Sequence, residues 1–118
     1  MRLQDRKIFS LHIPHSLAKA SRDLAEQDGS RLASLIRFLL AEAVRTGEYP
    51  SEIPRRNARG ELLVTVSVAV SPDLADATKE ILKRRGVSAS SFVTALLRDW
   101  LAKRTEGSNG SGALHAVR

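Results

Sequence analysis

The chain has 118 residues, 42% of them apolar and 27% charged, the balance of a small globular protein rather than of a disordered or membrane-spanning one. No apolar run approaches the roughly 20 residues of a membrane helix, and the opening Met1-Arg-Leu-Gln-Asp-Arg-Lys7 lacks the apolar core of a signal peptide, so a cytoplasmic location is expected. Cysteine is absent, which excludes disulfides, thiol chemistry and cysteine zinc sites. The three histidines, His12, His15 and His115, are poorly placed to share a metal, so neither metal nor cofactor is expected. A net charge of +6 favours a polyanionic partner.

The chain repeats itself. Residues 7–43 and 64–100 superpose without a gap at a shift of 57 positions, the difference between Gly86 and Gly29. Apolar residues match along the whole length: Leu11 with Val68, Ile13 with Val70, Leu17 with Leu74, Leu24 with Ile81, Ile36 with Val93 and Leu40 with Leu97.

Taken in order, residues 7–13 alternate, with Phe9, Leu11 and Ile13 on one face and Ile8, Ser10 and His12 on the other, which predicts a half-buried strand. Pro14 ends it, and a helix is expected over 15–28, its apolar face built on Leu17, Ala20 and Leu24, with Gly29 as its stop. A second helix over 31–46 carries a broad stripe of Leu32, Leu35, Ile36, Leu39, Leu40 and Ala43. The stretch 46–61, with Gly47, Pro50, Pro54 and Gly60, reads as an extended linker. The pattern then recurs: a strand over 64–70 with Val64, Val66, Val68 and Val70 opposite Thr65, Ser67 and Ala69; a helix over 72–85 opened by Ser71-Pro72 and closed by Gly86; and a helix over 88–104 striped by Phe92, Val93, Leu96, Leu97 and Trp100. Trp100 aligns with Ala43 and is expected to fill core. Residues 105–118, rich in glycine and serine, are expected to be a disordered tail. The organisation is thus one unit over 1–45, a linker over 46–61, a second unit over 62–104 and the tail. A unit of about 45 residues is near the lower size limit for folding alone, so each repeat is the natural cover for the other's apolar stripe.

A short amphipathic strand, then two helices separated by a glycine turn, with serines opening the second helix, resembles the ribbon-helix-helix family of Arc- and MetJ-type DNA-binding proteins. The likeness covers both repeats, and their presence in one chain is similar to the tandem form of TraY-like proteins. The resemblance implies an α+β, mostly helical fold in which two β-α-α units form an intramolecular pseudo-dimer around a two-stranded antiparallel ribbon. It further implies a sequence-specific binder of double-stranded DNA that places the ribbon in the major groove. Carried over position by position, the base-contacting residues are Ile8, Ser10, His12, Thr65, Ser67 and Ala69, short and mostly neutral where the family usually shows Arg, Lys, Asn or Gln. Phosphate contacts fall to Arg6 and Lys7 and to the openings of the second helices, Ser30, Arg31 and Ser34 in the first unit and Ser88, Ser90 and Ser91 in the second. Helix capping explains the same serines and is compatible with that role. Arg2, Arg55, Arg56 and Arg59 are further cations for the DNA backbone or for solvent, whereas Lys83, Arg84 and Arg85 suit the negative end of a helix.

The implied role is transcriptional regulation, chiefly repression, with nucleoid association and self-association on DNA. Two other readings stand beside it. A conjugation or mobilisation accessory protein would use the same ribbon, and relaxase genes nearby would favour it. An antitoxin-like interaction module would need a toxin-binding segment, for which the tail offers only Ala113, Leu114, Ala116 and Val117. No carboxylate pair, nucleophile elbow or phosphate-binding glycine loop occurs at a meaningful spacing, so neither enzyme activity nor a small-molecule substrate is expected.

Overall fold

The computed structural model describes the backbone of residues 6–53 and 61–117 and the side chains of residues 6–53 and 61–104. The element order is β1 (Lys7–Pro14), α1 (His15–Gln27), α2 (Leu32–Thr46), β2 (Leu63–Val70), α3 (Pro72–Arg85) and α4 (Ala89–Val117). The fold is α+β and mostly helical, with one two-stranded antiparallel sheet and four helices. Each strand is a run of alternating β-branched, aromatic or leucine residues, the composition that suits a pleat with one covered face. Leu11, Ile13, Val66, Val68 and Val70 are buried, and Phe9 and Val64 are half-buried against the same core.

Ser10 lies opposite Ser67, and the ladder runs from Lys7–Val70 at one end to Pro14–Leu63 at the other. Ser67 minus Ser10 is 57, the shift of the sequence repeat, so the ladder is centred on a residue and its own equivalent. Exchanging the halves leaves the pairing unchanged. A symmetric register of this kind lets both strands turn their apolar faces to one side, since a slip of a single residue would expose one of them.

The second helices cross over. α4 packs on β1 and α2 packs on β2, so each half covers the strand of the other. Phe92, Val93 and Leu97 from α4 and Ile36 and Leu40 from α2 therefore join the strand residues in a single buried cluster. Full burial of one such side chain contributes roughly 1.5–3 kcal/mol, and here most of that burial requires both halves. A two-stranded ribbon leaves unpaired backbone groups along both edges. The His12 amide donates to Ser90 Oγ on α4 at 2.9 Å, and Arg37 Nη1 on α2 donates to the Ala69 carbonyl at 2.8 Å. His12 and Ala69 are equivalent positions, served by different chemistry.

Local signals account for the helix ends. Ser71 Oγ accepts from the Leu74 amide at 3.2 Å and Pro72 occupies the first turn, as the sequence predicts. α1 starts after Pro14 with no side-chain cap. Gly86 and Gly47 end α3 and α2 with φ of 67° and 73°, left-handed values that a side chain would strain. Past Gly47 the chain returns to the core: the Tyr49 ring meets Phe92 edge-on at 5.3 Å, the Arg85 guanidinium lies 5.5 Å from the Tyr49 centroid, and Ile53 is half-buried. Residues 49–53 of the expected linker are thus a packed strap. α4 carries helical backbone through residues 105–117, which the sequence reading assigns to the tail, although Gly107, Gly110 and Gly112 are weak helix formers.

Two buried hydroxyls stand apart. Ser21 and Thr78, again separated by 57, are each 1% exposed or less and have no hydrogen-bond partner among the described residues.

Candidate nucleic-acid interface

The outward face of the ribbon is a short strip of cross-strand pairs: Ile8 with Ala69, Ser10 with Ser67, and His12 with Thr65. Ile8 is 65% exposed, Ser10, His12, Thr65 and Ser67 are exposed, and Ala69 is half-buried. All six residues read from the sequence as base-contacting therefore share one accessible face. The alternation that buries Leu11 and Val68 turns Ser10 and Ser67 outward, so core packing sets the orientation of the strip. His12 Nδ1 and Thr65 Oγ1 are 3.4 Å apart, close enough to align the two polar groups at that end.

Strands placed about 4.8 Å apart make a ribbon narrow enough for the major groove of B-DNA, about 12 Å wide. Hydroxyls and an imidazole on such a strip can exchange hydrogen bonds with base edges, and the Ile8 side chain can meet a thymine methyl. A strand begun at Val64 omits Leu63, which has the parity of Thr65 and Ser67, lies opposite Pro14 and is 40% exposed. The structure thus lengthens the outward face by one apolar residue. Continued alternation is the signal that reveals it.

The openings of the second helices flank the strip. Arg37 and Ser34 of α2 adjoin the Ile8/Ala69 end, since Arg37 bonds both the Ala69 carbonyl and Ser34 Oγ. Ser90 of α4 adjoins the other end through the His12 amide. No side chain caps α2, whose extended residue at the boundary is Arg31. At α4, Ser88 Oγ accepts from the Ser91 amide at 3.1 Å. Among the eight residues read as phosphate contacts, Arg6, Lys7, Ser30, Arg31 and Ser88 are exposed. Ser34 and Ser90 are half-buried and hold protein groups, and Ser91 is buried with its amide already bonded. Ser91 is buried because α4 is covered on every side over this stretch, each residue from Ser91 to Leu97 being buried. Arg2, Arg55, Arg56 and Arg59 lie outside the described residues.

The electrostatics around the strip are one-sided. Neither strand contains a carboxylate, and the first turns of α1, α2 and α4 contain none. Asp73 opens α3, and other acidic groups lie farther along the helices, as in the ion pairs Lys19–Asp23, Arg45–Glu42 and Lys103–Asp99. Glu42, on the last turns of α2, has its carboxyl held below the ordinary value by the Arg45 hydrogen bond. Arg37 is the contributor that sequence reading misses. Its only signal is a lone cation inside the apolar run Leu35-Ile36-Arg37-Phe38-Leu39-Leu40.

Among the described residues no group of three or more His, Asp or Glu side chains is placed to hold a metal, and no helix is long and apolar enough to cross a membrane. The chain matches no protein-family model, no curated protein and no solved structure.

Proposed function

We propose that the protein is a sequence-specific double-stranded-DNA-binding protein of the ribbon-helix-helix kind, its two β-α-α halves acting as an intramolecular pseudo-dimer that sets the ribbon into the major groove. The observation that carries this reading is the outward strip of Ile8, Ser10, His12, Thr65, Ser67 and Ala69, centred on the Ser10–Ser67 pair and flanked at each end by the opening of a second helix. A strand face kept free of both large apolar cover and carboxylates costs the fold a packing surface, and a groove-reading role explains that cost. In this role the protein regulates transcription by occupying an operator, and it needs neither cofactor nor catalysis. Exposed Arg6, Lys7, Ser30, Arg31 and Ser88 position the duplex through its phosphates, while the strip reads bases.

The test is a binding titration of labelled duplexes over a salt series, using a preferred sequence and a scrambled control. Affinity should fall linearly on a log–log plot as counterions are displaced. Ser10→Ala/His12→Ala should erode discrimination between the duplexes by about tenfold or more, the loss of roughly 1–3 kcal/mol for a good base contact. Arg31→Ala should weaken both duplexes alike and lower the salt slope by about 1. Absence of binding at low salt would overturn the proposal.

A further inference from the structure

The two ends of the ribbon are equivalent in fold and unlike in chemistry. At the Ile8/Ala69 end stand Arg6, Lys7, Arg31 and Arg37, of which the first three are exposed and Arg37 touches the ribbon itself. Their equivalents at the shift of 57 are Leu63, Val64, Ser88 and Thr94, every one of them neutral. Among the described residues, Asp73, in the first turn of α3, is the only carboxylate in the strands and opening helical turns at that end. At the His12/Thr65 end, among the described residues, there is no Lys or Arg in β1 or β2 beyond Lys7, nor in the openings of α1 and α4. The next cation along α1, Lys19, is paired with Asp23.

The reading face is polarised in the same direction. The cationic end presents the Ile8 side chain beside Ala69, an apolar surface fit for thymine methyls. The neutral end presents His12 beside Thr65, whose imidazole and hydroxyl are fit for the hydrogen-bonding edges of purines.

Resting on the DNA-binding reading above, we infer that the protein seats on DNA in one orientation, its Ile8/Ala69 end anchored on the phosphates and its His12/Thr65 end reading by hydrogen bonds. The preferred site is then not a palindrome: a half rich in thymine methyls lies under the cationic end, and a half of defined purine edges lies under the neutral end. The protein backbone is nearly indifferent to orientation, because the ladder maps onto itself when the halves are exchanged. Side chains alone break the tie. Phosphate attraction sets where the anchored half sits, and a reversed complex would place the neutral end over the phosphates that the cations need.

The 118-residue chain has no cysteine, so a single introduced thiol can carry a DNA-cleaving iron chelate. Gln27→Cys places it on the exposed end of α1, next to the α1–α2 turn and outside the residues assigned to DNA. On a duplex enriched from a random-sequence library, strand cleavage is expected on one side of the motif centre only. Lys7→Ala/Arg31→Ala should lower the log–log salt slope by about 2, against no more than a few tenths for Ser88→Ala. Equal cleavage on both sides of a specifically bound motif would overturn the single orientation while leaving DNA binding intact. A salt slope left at the wild-type value by Lys7→Ala/Arg31→Ala would overturn the one-ended anchoring. If no duplex is retained at low salt, the DNA-binding reading fails and the orientation with it.

Discussion

The first half, from Lys7 to Thr46, and the second, from Leu63 onward, differ least where they touch and most where they face outward. Leu11 and Val68, Ile13 and Val70, Ile36 and Val93, and Leu40 and Leu97 are equivalent pairs in which every member is buried. Elsewhere, Lys7 corresponds to Val64, Arg31 to Ser88, and His12 to Ala69. Phe38 and Ala95 make the contrast sharpest: Ala95 is 4% exposed whereas Phe38 is 57% exposed. A shared core constrains both copies of a position at once, because β1 is covered by α4 and β2 by α2. Nothing ties the two outer surfaces together, so they are free to carry different chemistry.

Phe92, fully buried on α4, packs in the cluster that joins both halves, and its loss should have the largest effect. Phe92→Ala should cost about 3–5 kcal/mol, and denaturant unfolding should remain a single transition, since neither half keeps a core of its own. Two resolved transitions would show separable halves. Tyr49→Ala comes next. It removes the edge-on contact with Phe92 and the Arg85 cation–π contact, at a cost of about 1–2 kcal/mol in the same assay. An effect within error would mean that the strap contributes nothing to the fold.

Helix capping sharpens the contrast at smaller scale. Ser71→Ala deletes the bond to the Leu74 amide and should cost about 1 kcal/mol, whereas the start of α1, which has no side-chain cap, has no such bond to lose. Smallest of all is the matched pair of buried hydroxyls. Thr78→Val keeps the shape and removes an unpartnered polar group, so thermal unfolding should show a neutral change or a gain of up to about 1 kcal/mol. A loss beyond 1 kcal/mol would reveal a partner for that hydroxyl.

Much of this was legible in the sequence, for a physical reason. Strand alternation, glycine stops and the Ser71-Pro72 start are local signals, and the observed elements begin or end within one or two residues of the expected positions everywhere except the end of α4. Alternation also separates Ser10 and His12 from Leu11 and Ile13, so the candidate strip could be assembled before any contact was known. Tertiary features were less accessible. Nothing local distinguishes a serine that caps its own helix, as Ser88 does, from one that receives the amide of a distant strand, as Ser90 does. The grip of Arg37 on Ala69 and the return of Tyr49 to Phe92 likewise arise between residues far apart in sequence. The burial of Ser91 is hidden in the same way: it follows from the cover over α4 from Ser91 to Leu97, which no local signal reveals.

Whether a face built by the core's own alternation reads DNA is decided by selecting bound duplexes from a random-sequence library at near-physiological salt. The wild-type chain should enrich a short motif, and Ser10→Ala/His12→Ala should degrade that motif while leaving the protein folded. Recovery of the same motif by the double variant, or retention of no duplex even at low salt, would rule out base reading by this face.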